Sequence, residues 1–352
     1  MKRYIVSVIG DIGFGEPVYN GQTAKTRDYL HYLSIRYGKD KVNSVDTRYW
    51  RKHLLKKSLL LLKAVLLSKN LVLELGKNGR RTILPFTLAI KGLTKTNILF
   101  SIVGGSLMYD YDNEPETIKC LYKTSENYVE TKTFQKFLED KGVPNVKYSP
   151  VFSKRATLND YTFIDQSLKK PYKFCTYARV CKEKGITSAI EAVKAVNELS
   201  SSVICTLDIY GVPQDDYKEE FERLLLETKD FVRVYPYLDD SNAIMTLAEH
   251  YMMLFPTYYS GEGFPIAIVE CLKSGVPVIA SDWHFNSEVV IDGVTGMVYS
   301  LETQGELIRK IKYAISNPEE IHKMKFECLK RSEEFEPNRA LSVVYQRIDS
   351  HS

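Results

Sequence analysis

Two glutamates, Glu262 and Glu270, bracket the stretch Gly263-Phe264-Pro265 and the start of an apolar run. Proline just inside a helix start, with Ser274-Gly275 past its end, predicts a helix over 265–273. Glu262 then lies in the loop before the helix and Glu270 on its second turn. A helix start leaves unpaired backbone N–H groups and a positive dipole end, which suit a phosphate. A carboxylate in the loop suits sugar hydroxyls, and one on the second turn suits a ribose. Spacing alone is met as well by two solvated surface glutamates. The apolar residues on both sides of Glu270 weigh against that, because a carboxylate among buried positions needs a reason to be there.

A second group of charges is Arg179, Lys182 and Lys184, followed by Gly185. Arginine as a planar fork and lysine as a compact charge suit a diphosphate at the carboxyl end of a strand. A solvated basic turn has the same composition.

The elements that must hold these residues alternate between strand and helix. Strands are expected at 4–9, 41–45, 71–75, 97–103, 120–124 and 145–148, then at 173–177, 203–210, 232–235, 251–255 and 277–280. Helical patterns fill 23–37, 187–199, 216–226 and 304–316. Such alternation predicts parallel sheets covered on both faces, with ligand loops at the carboxyl ends of the strands. Periodicity fails around 150–170, which divides the chain into domains at 1–160 and 161–325, with a helical tail at 326–352 that packs back on the first. Charge divides it in the same place. Residues 1–150 hold 25 Lys/Arg and 14 Asp/Glu, whereas the remainder holds 23 and 30, so a net +4 conceals a basic half and an acidic half.

Composition excludes several classes. With 44% hydrophobic and 26% charged residues the chain reads as globular. The six cysteines form no CxxC pair, which fits a reducing compartment. The opening MKRYIVSVIGD is too short for a signal core, and no stretch of ~18 apolar residues is uninterrupted, so a cytoplasmic protein is expected. The basic excess matches no nucleic-acid-binding module, and no nucleic-acid partner is expected.

The ordered series Arg179…Lys184-Gly185, Leu207-Asp208-Ile209-Tyr210-Gly211, Glu262-Gly263-Phe264-Pro265…Glu270, Ser274-Gly275-Val276-Pro277, Glu288 and Asp292-Gly293…Gly296 resembles family-4-type retaining glycosyltransferases, the glycosyl transferases group 1. The resemblance covers 171–316. It implies the GT-B fold: α/β, two doubly wound Rossmann-like domains facing across a cleft. It also implies that Arg179 and Lys184 neutralise a departing nucleotide diphosphate (UDP above all) and that Glu262 contacts the transferred sugar. Backbone amides around Gly263, Phe264 and Pro265 would hold sugar and phosphate, Glu270 the ribose, and Tyr237 the base. A Gly-rich loop after the first strand, here Gly10…Gly13…Gly15 and Asn20-Gly21, would approach the phosphates. As a bare pattern it is only a turn, and it is not the dinucleotide-binding GxGxxG. The nucleotide sugar is a substrate, so no cofactor or metal is expected.

Three features stay outside that series. Asp110-Tyr111-Asp112 matches the Asp-x-Asp of metal-dependent transferases, but an acid-rich surface loop is favoured. His284 beside the presumed donor loop is weak evidence alone. The acid-free stretch 47–73 sets Trp50, Arg51, Lys52, Lys56 and Lys57 among leucines. It reads equally as a membrane-surface helix and as a domain helix whose core stripe is Leu54, Leu55, Leu59, Leu62 and Leu66.

The expected activity is hexosyl transfer from a nucleotide diphosphate sugar to a saccharide or lipid-linked acceptor for a surface polysaccharide. It would occur in the cytoplasm or peripherally on the inner face of an anionic membrane. A nucleotide-sugar epimerase on the same fold and a catalytically silent nucleotide-sugar-binding subunit are the competing readings.

Overall fold

The computed structural model describes residues 3–15, 21–91, 94–200, 202–238 and 241–351. The chain divides into two compact units, Met1–Lys154 with Glu336–Ser352, and Arg155–Phe335.

The first unit is built on β1 (Tyr4–Gly10), β2 (Val42–Asp46), β3 (Ser68–Leu75), β4 (Asn97–Ile102), β5 (Glu126–Val129) and β6 (Val146–Tyr148). They pair in parallel in the order β2-β1-β3-β4-β5-β6. Helices lie between most successive strands, as parallel crossovers require. β4 is buried along its whole length, in keeping with cover on both faces. From β1 the chain moves outward to β2, then returns on the other side as β3. The topological switch point therefore lies between β1 and β3, where a crevice opens at the carboxyl ends of the strands. The last helix, Ser342–Asp349, closes this core: Val344, Tyr345 and Ile348 pack with Val6, Val72 and Leu99. Arg36 and Tyr37 fasten its end to Asp349 at 2.6 and 2.7 Å.

A charged group is buried in this unit. Lys25 Nζ donates to Glu130 at 2.8 Å and to Ser101 at 3.0 Å, with Glu74 at 3.6 Å. Burial pushes the fully enclosed Glu74 carboxyl up to about 7, against the pull of Lys25. Burial also works against the charge on Lys25, but Glu130 and Glu74 outweigh it and hold that ammonium well above its ordinary range.

The second unit repeats the plan with β7 (Tyr172–Tyr177), β8 (Cys205–Tyr210), β9 (Val232–Tyr235), β10 (Met252–Phe255), β11 (Val278–Ser281) and β12 (Gly296–Tyr299). Its order is β12-β11-β10-β7-β8-β9, again all parallel, and its switch point lies between β7 and β10. Helix Pro318–Ser332 belongs to this unit, so the tail is divided between the units at Phe335.

Three local expectations are corrected. Residues 120–124 are the end of helix Glu116–Thr124, because Ile118 and Tyr122 bury one face at helical spacing; the strand is the next segment, β5. β12 was absent from the expected strands. The stretch 47–73 breaks into a 3-10 turn Trp50–His53, a helix Leu54–Leu67 and the start of β3. Its core stripe is Leu61, Ala64 and Val65, whereas Leu54, Leu55, Leu59 and Leu66 are exposed. The helix is thus rotated so that most of the expected stripe faces outward. Lys57 is not a free surface cation either, since its ammonium donates to the carbonyls of Asp46 (2.7 Å) and Arg48. No helix among the described residues is long and apolar enough to cross a membrane.

Candidate active site

The site is assembled by the loops that follow β7 and β10, the strands flanking the switch point. After β7 come Arg179, the 3-10 turn Lys182–Lys184 and Gly185, which opens helix Ile186–Glu198. Gly185 has φ of 71° and faces the carbonyl of Pro256; a Cβ there would sit 2.1 Å from that oxygen. Only glycine lets the two loops close on each other. They are then joined by a hydrogen bond: Tyr258 N donates to the Glu183 carbonyl at 2.8 Å, and Thr257 Oγ1 lies 3.3 Å from the same carbonyl.

This closure brings Lys184 and Glu262 together at 2.5 Å, with side chains only 10% and 9% exposed. Thr257 Oγ1 donates to the same Glu262 oxygen at 2.9 Å. Both cations share the ring of Tyr259, whose centroid is 5.0 Å from Arg179 Cζ and 5.1 Å from Lys184 Nζ. His284 Nδ1 meets the Glu262 carbonyl at 3.1 Å, and Trp283 Nε1 donates to the Tyr259 carbonyl at 2.8 Å. His284 thus braces the loop by its backbone and stacks flat on Trp283, with ring centroids 4.6 Å apart. Of the charges at the centre, two cations face one carboxylate, which leaves a positive excess for an anionic group.

Glu270 lies on helix Ile266–Lys273, one residue shorter at its start than expected, with Pro265 as N-cap. It is 5% exposed and ion-paired with Arg155, whose carbonyl accepts from Lys273 Nζ at 2.8 Å. Gly263 and Phe264 lead into this helix, and the ring of Phe264 packs edge-on against Phe335 at 5.5 Å. Tyr237 stands apart beyond edge strand β9, two strands from β7, with 73% of its surface exposed. Gly21 is the first residue of helix Gly21–Tyr37 in the first unit, and Asn20 lies outside the described residues. Asp110 and Asp112 each pair with a lysine, Lys77 at 2.8 Å and Lys141 at 2.6 Å, and Tyr111 between them is buried.

Sequence reasoning missed Thr257, Tyr259 and Arg155. Thr257 and Tyr259 were within reach, since both lie in the loop that carries Glu262. Arg155 sits where no periodicity holds, and nothing local marks it as the partner of Glu270.

Residues 160–328 match the family glycosyl transferases group 1. That segment contains the whole Arg179–Lys184–Glu262 centre as well as Glu270. The chain is similar to an uncharacterized glycosyltransferase of Methanocaldococcus jannaschii, 25% identical over 223 residues, which are 60% of this chain and 54% of that protein. It is also similar to the poly(glycerol-phosphate) alpha-glucosyltransferase of Bacillus subtilis, 27% identical over 144 residues, 39% of this chain and 20% of that enzyme. The chain therefore matches about half, or less, of the length of these curated relatives. In architecture it is similar to HepE of Anabaena, crystallised in complex with UDP, at a TM-score of 0.75 and 13% identity over 99% of this chain and 100% of that one. The fold is that of the GT-B glycosyltransferases: two parallel six-stranded sheets, each flanked by helices.

Proposed function

We propose that the chain is a retaining glycosyltransferase that moves a hexosyl group from a UDP-sugar to a lipid-linked saccharide in surface polysaccharide synthesis. The observation that carries this reading is the Lys184–Glu262 pair, with Arg179 on the same Tyr259 ring, inside the group 1 segment. UDP as the nucleotide is supported by the fold neighbour crystallised with it. Retention is supported by the Bacillus relative, whose name specifies an alpha-glucosyl product, the outcome of retention when the donor linkage is alpha.

In the proposed reaction the bond between the anomeric carbon and the diphosphate oxygen breaks. The acceptor hydroxyl oxygen bonds to the same face of that carbon, and its proton passes to the leaving phosphate oxygen. Arg179 and Lys184 stabilise the charge gathering on the diphosphate, the role a divalent cation fills elsewhere. Lys184 exchanges part of its bond to Glu262 for the phosphate, which frees Glu262 to accept from sugar hydroxyls. Glu270, oriented by Arg155, accepts from the ribose, and Tyr237 meets the base. Rate then comes from positioning and charge rather than from a protein nucleophile. The first unit takes the acceptor and lies peripherally on the cytoplasmic face of an anionic membrane, through Trp50, Arg51, Lys52 and Lys56.

A thermal-shift screen of nucleotide sugars tests the donor. A UDP-sugar is expected to raise the melting temperature by mass action, and Glu262→Ala to cut sugar transfer more than UDP affinity. The opposite pattern for Glu262→Ala would refute its assignment to the sugar.

A further inference from the structure

Between β10 and helix Ile266–Lys273 the chain that carries Glu262 forms only turns, so something other than a strand or helix must fix it. Lys184 and Thr257 hold the Glu262 side chain. The backbone is held separately, by the loop that follows β11. Three side chains there each donate to one carbonyl of the Glu262 loop. Ser281 Oγ reaches the carbonyl of Thr257 at 2.6 Å, Trp283 Nε1 that of Tyr259 at 2.8 Å, and His284 Nδ1 that of Glu262 at 3.1 Å. A carbonyl only accepts, so Nδ1 of His284 carries the proton. This ladder stands on a pinned base. Asp282 N donates to the Tyr299 carbonyl at 2.7 Å, Asn286 N to that of Trp283 at 3.1 Å, and the buried Asn286 side chain to that of Ser281 at 3.1 Å.

The last rung is strained. His284 has φ of 50°, a left-handed conformation that side chains other than asparagine and aspartate rarely adopt. A glycine would relax the turn, but it would bring no ring to stack on Trp283 at 13° and no donor for the Glu262 carbonyl. Core packing does not call for the strain, because Trp283 and His284 are both only partly buried. Strain kept beside a ligand loop points to what that loop must do.

We propose that Trp283 and His284 are positioning residues: through the carbonyls of Tyr259 and Glu262 they set where the Glu262 carboxylate meets the donor sugar. The inference rests on the reading of Glu262 as the sugar contact, and it gives neither residue a part in the chemistry.

The test compares calorimetric affinities of the full chain for UDP, UDP-glucose, UDP-galactose and UDP-N-acetylglucosamine. The affinity of the best-bound UDP-sugar relative to UDP measures the sugar contact, and Glu262→Ala calibrates it. His284→Gly, which keeps the turn, is expected to lower that ratio about tenfold with UDP affinity unchanged, the upper range for one lost hydrogen bond. Trp283→Phe is expected to lower it in the same direction. His284→Asn tolerates the left-handed turn and offers an Nδ2–H in place of the Nδ1–H, so it should recover most of the loss. Parallel losses for UDP and UDP-sugar, or an asparagine variant no better than glycine, would overturn the proposal. Amide hydrogen exchange without ligand keeps the two readings apart. Faster exchange over 257–264 in His284→Gly, with a ratio that Glu262→Ala does not change, keeps the brace and sinks the sugar contact. Exchange equal to wild type sinks the brace, whatever Glu262 binds.

Discussion

Replacing Lys184 by methionine is expected to destabilise the second unit as well as to slow transfer. The Lys184 ammonium and the Glu262 carboxylate are 2.5 Å apart and about nine-tenths removed from water. Taking away one partner leaves Glu262 with Thr257 as its remaining side-chain donor at this site. Stranding a buried charge in this way costs about 3–5 kcal/mol, far more than the pair contributes over an apolar replacement. In a unit of this size each kcal/mol moves the midpoint by roughly 2–4 °C, so Lys184→Met is expected to lower it by roughly 6–20 °C. Glu262→Gln added to Lys184→Met removes the stranded charge and should recover most of that loss. The double-mutant cycle, read by calorimetry without ligand, then gives a coupling of at least ~2 kcal/mol. Transfer should stay low in the double variant, because the diphosphate still lacks its lysine. Strictly additive midpoints, or a single variant as stable as wild type, would show that the two side chains do not share a desolvated pair.

Other expectations follow from the same geometry. Glu270→Gln should weaken UDP by about tenfold or more while leaving a dideoxyribose analogue of UDP unaffected, since a hydrogen bond to a charged group is worth ~1.5–3 kcal/mol; equal losses for both nucleotides would remove Glu270 from the ribose. The raised pKa of Glu74, about 7 against an ordinary 4.5, means that the folded first unit prefers the protonated acid. Its contribution is fully present below about pH 4.5 and is lost as pH rises through about 7. Glu74→Gln should flatten that slope in pH-dependent melting, and an unchanged slope would place its origin elsewhere. On helix Leu54–Leu67, Leu61→Ala should cost ~2–5 kcal/mol in denaturant unfolding, whereas Leu55→Ala should stay within ~0.5 kcal/mol. Similar losses at both positions would contradict the observed rotation of the helix.

That the loops carrying Lys184 and Glu262 share one end of the second unit's sheet was legible in the sequence, for physical reasons. Lys184-Gly185 and Glu262 sit on loops that a βα pattern places at the carboxyl end of a parallel sheet, so order along the chain becomes proximity in space. Proximity to 2.5 Å was not legible, because it depends on Gly185 closing against Pro256, a contact between loops about seventy residues apart. The Glu270–Arg155 pair was hidden for a related reason, since Arg155 lies in aperiodic chain placed by tertiary packing. The leucines of 47–73 fitted a helical stripe, yet in a helix with leucines on several sides only tertiary packing decides which stripe turns inward, here Leu61, Ala64 and Val65. Residues 120–124 were misread because a short apolar run serves strand and helix alike, and only the pairing of Ile118 with Tyr122 decides.

The central claim is that Lys184 and Glu262 hold a nucleotide sugar whose hexosyl group passes to a lipid-linked acceptor. Labelled UDP-sugars incubated with the full chain and a bacterial lipid extract test it most directly. The account predicts labelled glycolipid with the anomeric configuration of the donor retained, and its loss in Glu262→Ala while UDP affinity persists. Isomerised donor with no glycolipid, or undiminished transfer by Glu262→Ala, would contradict it.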